Sequence, residues 1–166
     1  MTTLVPLSHS FYDVVAEWLS NTEINQWLTS EWRGRTVDPI VIGIAVRNKR
    51  NKFFVVRSDD NPCGLVGLSD WDESDKIAMV WYILGAPTLG GRGIMTEALR
   101  QLVQMAFTEL GIQALYAWIM EDNLPSRRVL EKTGFHEAGR LRQAVFRDGR
   151  QMDRVYFDLT RFDVSF

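Results

Sequence analysis

The sequence predicts a domain of the α+β, or mixed α/β, class. Segments rich in β-branched and aromatic residues come first in a consecutive run, a strand–helix–strand unit follows them, and a hairpin pattern ends the chain. A doubly wound sheet would instead need strands and helices that alternate throughout. The 166 residues, 46% of them hydrophobic, are enough for one core, so we expect a single domain over residues 1–166.

The N-terminal third predicts a strand and two helices. Alternating apolar residues favour a strand over residues 3–7, after which Ser10 is placed to cap a helix. The apolar positions of that helix recur with helical spacing: Phe11, Val14, Val15, Trp18 and Leu19. Asp38 followed by a proline is typical of a second helix start. Three apolar residues then lie on one side of it: Ile40, Val41 and Ile44.

Strands dominate the middle of the chain. Residues 52–57, 63–69 and 77–84 each combine β-branched or aromatic residues with turn residues at their ends. A polar loop over residues 70–75 separates the second of these strands from the third. Residues 114–120 predict a further, buried strand.

Two helices and a hairpin complete the predicted elements. Apolar residues recur in steps of three and one over residues 99–110, and Gly111 stands where a left-handed cap is expected. Residues 125–133 predict a shorter helix. Residues 135–146 and 152–160 predict two antiparallel strands joined by a short turn that contains glycine.

Composition argues against several classes of function. The formal net charge of −2 gives no general attraction for nucleic acid or an anionic membrane, so neither is expected as a partner. Cys63 is the single cysteine, which excludes an internal disulfide and argues against a thiolate metal site, so no metal is expected. The first residues lack a signal-peptide pattern, and no apolar run approaches the roughly 18 residues that span a bilayer. We therefore expect a cytoplasmic protein.

The segment Leu89-Gly90-Gly91-Arg92-Gly93-Ile94-Met95-Thr96 lies between a predicted strand and the clearest helix. Its glycines allow successive backbone N–H groups to converge on one point, where the helix N-terminus adds about half a positive charge. This pattern predicts a pyrophosphate site. A nucleotide P-loop would need lysine and then serine or threonine after the last glycine, and a dinucleotide motif would need glycine in place of Thr96. Taken alone, the turn is also compatible with a connection that binds nothing.

A second motif, MEDNLPSRRVLEKTGF, includes the predicted helix over residues 125–133. With the stretches YILGAPTLGGRGIMTEAL and GRLRQAVFRDGR, it resembles the GNAT superfamily of acyl-CoA N-acyltransferases, most closely the branch of ribosomal-protein alanine and serine N-acetyltransferases. The three stretches cover about residues 78–160 in the order and spacing of that family. The resemblance implies a GNAT-like fold, with a central, mostly antiparallel mixed sheet of about six or seven strands flanked by about four helices.

The resemblance also implies a site for acetyl-CoA, the expected co-substrate. The coenzyme's pyrophosphate is expected on the backbone amides of six residues: Gly91, Arg92, Gly93, Ile94, Met95 and Thr96. Its pantetheine arm is expected to pair with the strand that ends at Ile83 and Leu84, and an amide near Leu84 is expected to polarise the thioester carbonyl. That strand is expected to diverge from the one containing Trp118, which leaves a gap for the arm.

Residues of the second motif are expected to complete the coenzyme site. By the same resemblance, Asn123 would hydrogen-bond the pantetheine or a bound water, and Arg127 or Arg128 would reach a phosphate. Ser126 would face the sulfur atom, where it is our candidate general acid or hydrogen-bond donor. The alternative for Ser126 is a serine at a helix start that satisfies a backbone amide.

Four positions depart from the family pattern. Gly90 replaces the arginine or glutamine that usually begins the turn, and Met95 stands where a small residue usually lets the coenzyme approach. Both changes could weaken coenzyme binding, although the backbone amides need neither side chain. Leu130 replaces a tyrosine that is common near the sulfur, and Met79 replaces a glutamate often found on the strand before the turn.

The general base is not identified by the sequence. An amine must lose a proton before it attacks a thioester, and the oxyanion that develops needs a fixed N–H donor. Four acidic residues cluster before the third strand, and most are expected to be solvated surface: Asp70, Asp72, Glu73 and Asp75. Asp72 or Glu73 could still attract the amine and relay its proton. His136 could titrate near neutral pH, but an exposed strand histidine is the simpler interpretation. Cys63 is not expected to carry the acyl group.

Large aromatic residues in loop-like sequence suggest where the acceptor binds. Three of the six tryptophans lie in such sequence: Trp27, Trp32 and Trp71. We expect residues 22–37 and the loop around Trp71 to form the acceptor wall, with Trp32, Trp71 and Asp72 in contact with the substrate. Ordinary packing is the alternative explanation for these tryptophans. The other three lie on core-like faces: Trp18, Trp81 and Trp118.

The sequence therefore predicts an N-acetyltransferase that moves an acetyl group from acetyl-CoA to a primary amine by direct attack in a ternary complex. The acceptor would be a protein N-terminus or another peptide or small-molecule amine. An amino-sugar or antibiotic N-acetyltransferase is the related alternative. A non-catalytic acyl-CoA-binding module is the alternative of a different class, and the missing tyrosine and glutamate favour it. An edge strand near the C-terminus would allow two copies to pair, so a homodimer is a possible assembly.

Overall fold

The computed structural model describes residues 1–165 and places seven strands in one sheet, in the order β1-β2-β3-β4-β5-β7-β6. The strands are β1 Thr2–Pro6, β2 Lys52–Ser58, β3 Asn61–Asp72, β4 Ile77–Leu84, β5 Ala114–Met120, β6 His136–Arg147 and β7 Arg150–Thr160. Neighbouring strands are antiparallel except β4 and β5, which run parallel. This mostly antiparallel mixed sheet confirms the predicted fold class.

Five α-helices in the described residues cover the two faces of the sheet. They are α1 Tyr12–Ser20, α2 Thr22–Asn25, α3 Pro39–Arg47, α4 Ile94–Thr108 and α5 Leu124–Lys132. The core on one face contains α4 and a residue of α5, and the core on the other face contains α1, α2 and α3. About four helices were expected. The additional one, α2, is a single turn that begins where the Asn21 side chain accepts a hydrogen bond from the Glu23 amide.

Side chains of β4 alternate between the two cores. Tyr82 and Leu84 pack against the core beneath α4, whereas Trp81 and Ile83 pack against the core beneath α1 and α3. Successive residues of a strand face opposite sides of a sheet, so this alternation follows directly from the strand geometry. The end of β4 therefore contributes to both faces of the molecule.

The parallel strands β4 and β5 diverge after a short paired segment. They pair over three positions, from Ile77 opposite Ala114 to Met79 opposite Tyr116. Beyond Met79, residues 80–84 have no partner strand on the β5 side within the described chain. β5 stays paired along its whole length with β7 on its other edge. A gap therefore opens in the middle of the sheet, where the resemblance places it.

One expectation in the N-terminal third was wrong. Ser10 does not cap α1, because its hydroxyl lies 2.9 Å from the Ser8 hydroxyl and a 3-10 turn over His9–Phe11 precedes the helix. Asp38 caps α3 as predicted, and its side chain accepts a hydrogen bond from the Ile40 amide at 2.8 Å. The apolar side of α3, however, is exposed: Ile40, Val41 and Ile44. The helix anchors itself in the core through Ile42 instead.

β3 extends further than the sequence predicted. Residues 70–72, which were expected in a polar loop, continue the strand after a register shift between Ser69 and Asp72. The Trp71 amide donates a hydrogen bond to the Arg50 carbonyl at 3.0 Å, which holds this segment in place. At the shift, Asp70 adopts a left-handed backbone with φ of 51°. Such bulges redirect side chains and are frequent beside active sites.

Candidate active site

The turn between β4 and α4 presents free backbone amides. Gly91 and Gly93 both have φ of 77°, a left-handed conformation that disfavours side chains. No group within residues 1–165 accepts a hydrogen bond from the amides of residues 91–96, although Gly90 and Glu97 on either side do donate to carbonyls. These six N–H groups stand at the N-terminus of a 15-residue helix. They form a site suited to a doubly charged linker such as a pyrophosphate.

The two departures in this turn do not block it. Gly90 has φ of −60°, so its backbone does not require glycine, and its amide bonds to the Pro87 carbonyl at 3.0 Å. The Met95 side chain is 4% exposed and packs in the core beneath α4. Its terminal methyl group lies against Gly64 of β3. Met95 therefore packs chiefly into the core, and it also lines the cleft beside the turn.

A cleft of about 890 Å³ runs from this turn through the gap between β4 and β5 to the face covered by α1 and α3. Most of the predicted site residues line it: Ile83, Leu84, Gly91, Gly93, Ile94, Met95, Thr96, Asn123, Ser126, Arg128 and Trp32. Arg92 belongs to the turn, but its side chain is exposed and outside the lining. The structure thus brings together the residues that were expected to contact the coenzyme, and their roles stay predictions.

Ser126 is bonded to a residue that the sequence argument did not include. Its hydroxyl lies 2.8 Å from the hydroxyl of Tyr82 on β4, and the Tyr82 hydroxyl also donates to the Ser126 carbonyl at 3.1 Å. The Asn123 side chain caps α5 by accepting from the Ser126 amide at 3.3 Å. Asn123, rather than Ser126, therefore satisfies the helix start. The Ser126 hydroxyl instead contacts Tyr82, and both residues line the cleft.

Burial keeps the Tyr82 phenol protonated. Removal from water raises its pKa well above the ordinary value of about 10, and the hydrogen bond with Ser126 only partly opposes this. At neutral pH the phenol is consequently a hydrogen-bond donor. Tyr82 and Ser126 form a hydrogen-bonded pair of hydroxyl groups, and both residues line the cleft.

The basic residues of α5 divide into a paired and an unpaired group. Arg127 is held by Glu137 at 2.8 Å and Glu131 at 3.5 Å, so its charge is already matched. Arg128 and Lys132 are exposed, line the cleft and have no ion pair within the described chain. Of the two arginines proposed from the sequence, Arg128 is the one that is free to meet a phosphate. Lys132 is an additional cation that the sequence argument did not name.

Tryptophans line the end of the cleft that lies on the face covered by α1 and α3. Trp32 and Trp27 line it from the segment after α2, within the residues 22–37 that were expected to form an acceptor wall, and that role stays a prediction. Trp81 and Trp118, which were expected on core-like faces, line it as well, one from each of the diverging strands. Trp81 is fixed by a hydrogen bond from its indole nitrogen to the Ser69 hydroxyl at 2.8 Å.

Trp71 and Asp72 lie outside this cleft lining. Trp71 packs against the core on the α4 face. The Asp72 carboxylate accepts hydrogen bonds from the amides of Ser74 at 2.9 Å and Asp75 at 3.0 Å. The Asp75 bond, followed by the Ser74 bond, holds the pKa of Asp72 below its usual value. Asp72 is therefore a turn-forming residue with reduced basicity.

Asp70 is the acidic residue of this segment that reaches the cleft. Its exposed carboxylate has no ion pair or hydrogen bond within residues 1–165. In the β3–β4 register, Ser69 stands opposite Met79, and the bulge places Asp70 immediately after this pair. Met79 occupies the position where related sequences often carry a glutamate. Asp70 thus brings a carboxylate to the same region from the neighbouring strand.

Within residues 1–165, neither Cys63 nor a cluster of metal-ligating side chains offers a different chemistry. Cys63 is buried, donates to the Val56 carbonyl at 3.4 Å, and has its thiol pKa raised by burial, so it is poorly suited to act as a nucleophile. A search of residues 1–165 finds no cluster of three or more metal-ligating side chains. None of the helices in that range is both long and apolar enough to cross a bilayer.

Comparisons with known proteins agree with this geometry. Residues 2–136 match the family model described as "Acetyltransferase (GNAT) domain". An uncharacterized N-acetyltransferase, p20 of Bacillus licheniformis, is 25% identical over 90% of this chain and 86% of its own length. The putative ribosomal N-acetyltransferase YdaF of Bacillus subtilis is 33% identical over 62% of this chain. That alignment spans 56% of YdaF, about half of the relative.

A solved structure shows the same fold. The spermidine N-acetyltransferase of Vibrio cholerae, in complex with CoA and spermine, superposes with a TM-score of 0.86 and covers 98% of this chain and 96% of its own. At 21% identity this likeness concerns the fold alone. Since the family model covers most of the chain, the resemblance noted in the sequence is confirmed, and this protein belongs to the GNAT family of acetyltransferases.

Proposed function

We propose that this protein acetylates a primary amine, using acetyl-CoA in a ternary complex. One observation carries the proposal: a single cleft connects the free amides of residues 91–96, through the gap beside β4, with a tryptophan-lined chamber on the other face. The coenzyme would occupy one side of the gap and the acceptor the other. The reacting atoms would then meet between Trp81 and Trp118, which belong to the two diverging strands.

The residues around the gap supply the groups that the reaction needs. Acetyl-CoA provides an activated thioester; the amine nitrogen bonds to its acyl carbon while the carbon–sulfur bond breaks. The unpaired edge of β4 near Leu84 offers a backbone N–H for the developing oxyanion. Ser126, backed by Tyr82, donates a proton to the departing sulfur. Arg128 and Lys132 would assist the amides of residues 91–96 in holding the phosphates.

The acceptor end of the cleft is suited to a protonated amine. Three exposed carboxylates line it: Glu23, Glu31 and Asp70. They would attract an ammonium group, which must then lose a proton before it attacks. Small-molecule amines, protein N-termini and polyamines such as the spermine bound by the Vibrio cholerae relative all satisfy this requirement.

Asp70 is our candidate for the general base. We expect Asp70→Asn to lower kcat/KM by about 10- to 30-fold at neutral pH, because the amide cannot accept the proton of the amine. The loss should shrink as the pH rises and more of the acceptor is neutral in solution. Rates measured between pH 6.5 and 10 would test this.

Asp72→Asn is the matched control, because it changes a carboxylate two residues away that only stabilises a turn. It should leave the rate and its pH profile unchanged. Equal rates in Asp70→Asn and wild type across the pH range would remove Asp70 from the mechanism.

The direct test of the activity is release of free thiol from acetyl-CoA in the presence of a panel of amines. The panel should hold polyamines, amino sugars, amino acids and peptides with free N-termini. We expect thiol to appear only when both substrates are present. Coenzyme binding without turnover of any of these amines would contradict the proposed activity and favour an acyl-CoA-binding module.

Two further expectations from the sequence stay proposals. β6 is an outer strand of the sheet and most of its residues are exposed, so its edge could pair two copies into a homodimer. The cytoplasm remains the proposed location.

A further inference from the structure

A second, smaller pocket adjoins the acceptor end of the cleft. Its volume is about 320 Å³, near the lower end for small-molecule sites. It is lined by residues from the segment after α2, from β5, and from the hairpin of β6 and β7: Leu28, Thr29, Ser30, Arg33, Trp118, Met120, Ala144, Val145, Phe146 and Arg154. Leu28, Thr29 and Trp118 line both spaces, so the small pocket, which we call the arginine pocket, adjoins the main cleft.

The charge of Arg154 is unmatched. Its guanidinium lies 4.0 Å over the ring of Trp118, but no carboxylate of residues 1–165 forms an ion pair with it. A neighbouring stack shows the contrast: Arg147 lies 4.4 Å over Trp27 and is paired with Asp122 at 2.8 Å. Both arginines use an aromatic face, but Arg154 keeps its charge available.

Two enclosed polar atoms of the arginine pocket also lack partners. The Arg154 Nε and the Thr29 Oγ1 are both shielded from solvent and make no hydrogen bond within the described chain, and the Arg147 Nε outside the pocket shares this property. Buried polar groups are nearly always hydrogen-bonded, because leaving them unpaired costs free energy. Arg33 adds a second cation, held to the Phe146 carbonyl by a 3.3 Å hydrogen bond. The lining contains two cations and no acidic residue.

We propose that the arginine pocket binds the carboxylate of the acceptor, so that the preferred substrates are amines that also carry a carboxylate. This inference rests on the proposed N-acetyltransferase function and specifies its substrate class. A guanidinium presents several N–H donors in a plane that matches a carboxylate. The acidic residues of the main cleft would attract the ammonium end of the same molecule. Amino acids, ω-aminoalkanoates and short peptides have this arrangement of charges, whereas polyamines do not.

The test compares acceptors that differ only in the carboxylate. We would measure kcat/KM for 4-aminobutanoate and 6-aminohexanoate against the amino alcohols of the same length, and for glycylglycine against its amide. Wild type should prefer the carboxylates by about 10- to 100-fold, as expected for charge-assisted hydrogen bonds. Arg154→Gln should reduce the preference to within about 3-fold, and Arg154→Lys should retain part of it.

Arg147→Gln is the matched control, because it removes the other stacked arginine, which lies outside the pocket lining. Its preference for carboxylates should equal that of wild type. The ratio between two acceptors is taken within one variant, so a partial loss of folded protein cancels. A wild-type ratio near one, a ratio unchanged in Arg154→Gln, or faster turnover of spermine than of any aminoalkanoate would overturn the proposal. A preference for O-phosphoethanolamine over 3-aminopropanoate would also overturn it, because the pocket would then select a phosphate rather than a carboxylate.

A binding measurement separates this proposal from the proposed activity. Calorimetric titration of the CoA-loaded protein with hexanoate, and with hexan-1-ol as the uncharged probe, does not need turnover. Hexanoate binding that is lost in Arg154→Gln would uphold the arginine pocket even if no amine were acetylated, in which case only the proposed activity would fail. If hexanoate does not bind to wild type and the kcat/KM ratio of carboxylate to uncharged acceptor is near one, the arginine pocket is not a carboxylate site. Any acetylation measured would still support the proposed activity.

Discussion

Replacing Gly91 by proline is expected to weaken coenzyme A binding by at least 100-fold, which corresponds to about 2.7 kcal/mol. Gly91 has φ of 77°, and its amide is one of six that point away from any internal acceptor. Proline fixes φ near −65° and has no N–H group. The substitution therefore removes one donor and reorients its neighbours. Calorimetric titration with coenzyme A measures the loss.

Gly90→Ala is the control for Gly91→Pro. Gly90 has an ordinary φ of −60°, and its amide bonds to Pro87 rather than pointing into the site. A Cβ at this position would lie 3.1 Å from the Pro87 carbonyl oxygen, so a small adjustment is needed. We expect its coenzyme affinity to stay within about 3-fold of wild type, because no donor is lost. Wild-type affinity in a folded Gly91→Pro variant would show that the coenzyme binds elsewhere.

Removing the hydroxyl group of Ser126 is expected to lower kcat by about 100-fold, the lower end of the range for a general acid. The affinity for coenzyme A should change by less than about 3-fold, because the phosphates and the pantetheine arm rely on other groups. Tyr82→Phe should produce a loss of similar size, since its hydroxyl lies 2.8 Å from that of Ser126. Single-turnover rates at saturating acetyl-CoA would measure the chemical step directly.

The double variant Ser126→Ala with Tyr82→Phe distinguishes a working pair from two separate effects. If the two hydroxyls act as one unit, removing either abolishes the contribution of both. The double variant should then be little slower than either single variant. Fully multiplied losses would mean that the two hydroxyls act independently. An unchanged kcat in Ser126→Ala would remove Ser126 from the proposed protonation of sulfur, and an unchanged kcat in Tyr82→Phe would do the same for Tyr82.

Much of the fold could be predicted because its signals are local. The helical spacing over residues 99–110 and the glycine after it describe α4, and the alternation around the turn at Gly149 describes the hairpin of β6 and β7. The segment between α1 and α3 was less predictable. The single-turn helix α2 in this segment depends on the cap at Asn21. In α3, the apolar residues lie on more than one side, and only the structure shows that the side containing Ile42 is the buried one.

The candidate site also has a part that could be predicted from the sequence and a part that could not. The amides of residues 91–96 could be located from the sequence, because one short glycine-rich segment supplies all of them. Tyr82, Asp70 and Arg154 could not, because their roles depend on the distance between strands that are remote in sequence. A bulge in β3 turns Asp70 toward the cleft, and the β5–β7 pairing brings Arg154 to Trp118. One sequence does not reveal such register.

The unpaired edge of β4 links the folding of this protein to the supply of its coenzyme. A pantetheine arm bound along residues 80–84 would hydrogen-bond the unpaired edge of β4 as an additional strand does, but only while the coenzyme is bound. A ligand that binds the folded form alone adds about 2.7 kcal/mol at a concentration 100 times its Kd. The protein would therefore unfold at a higher temperature when acetyl-CoA saturates it than when it is empty.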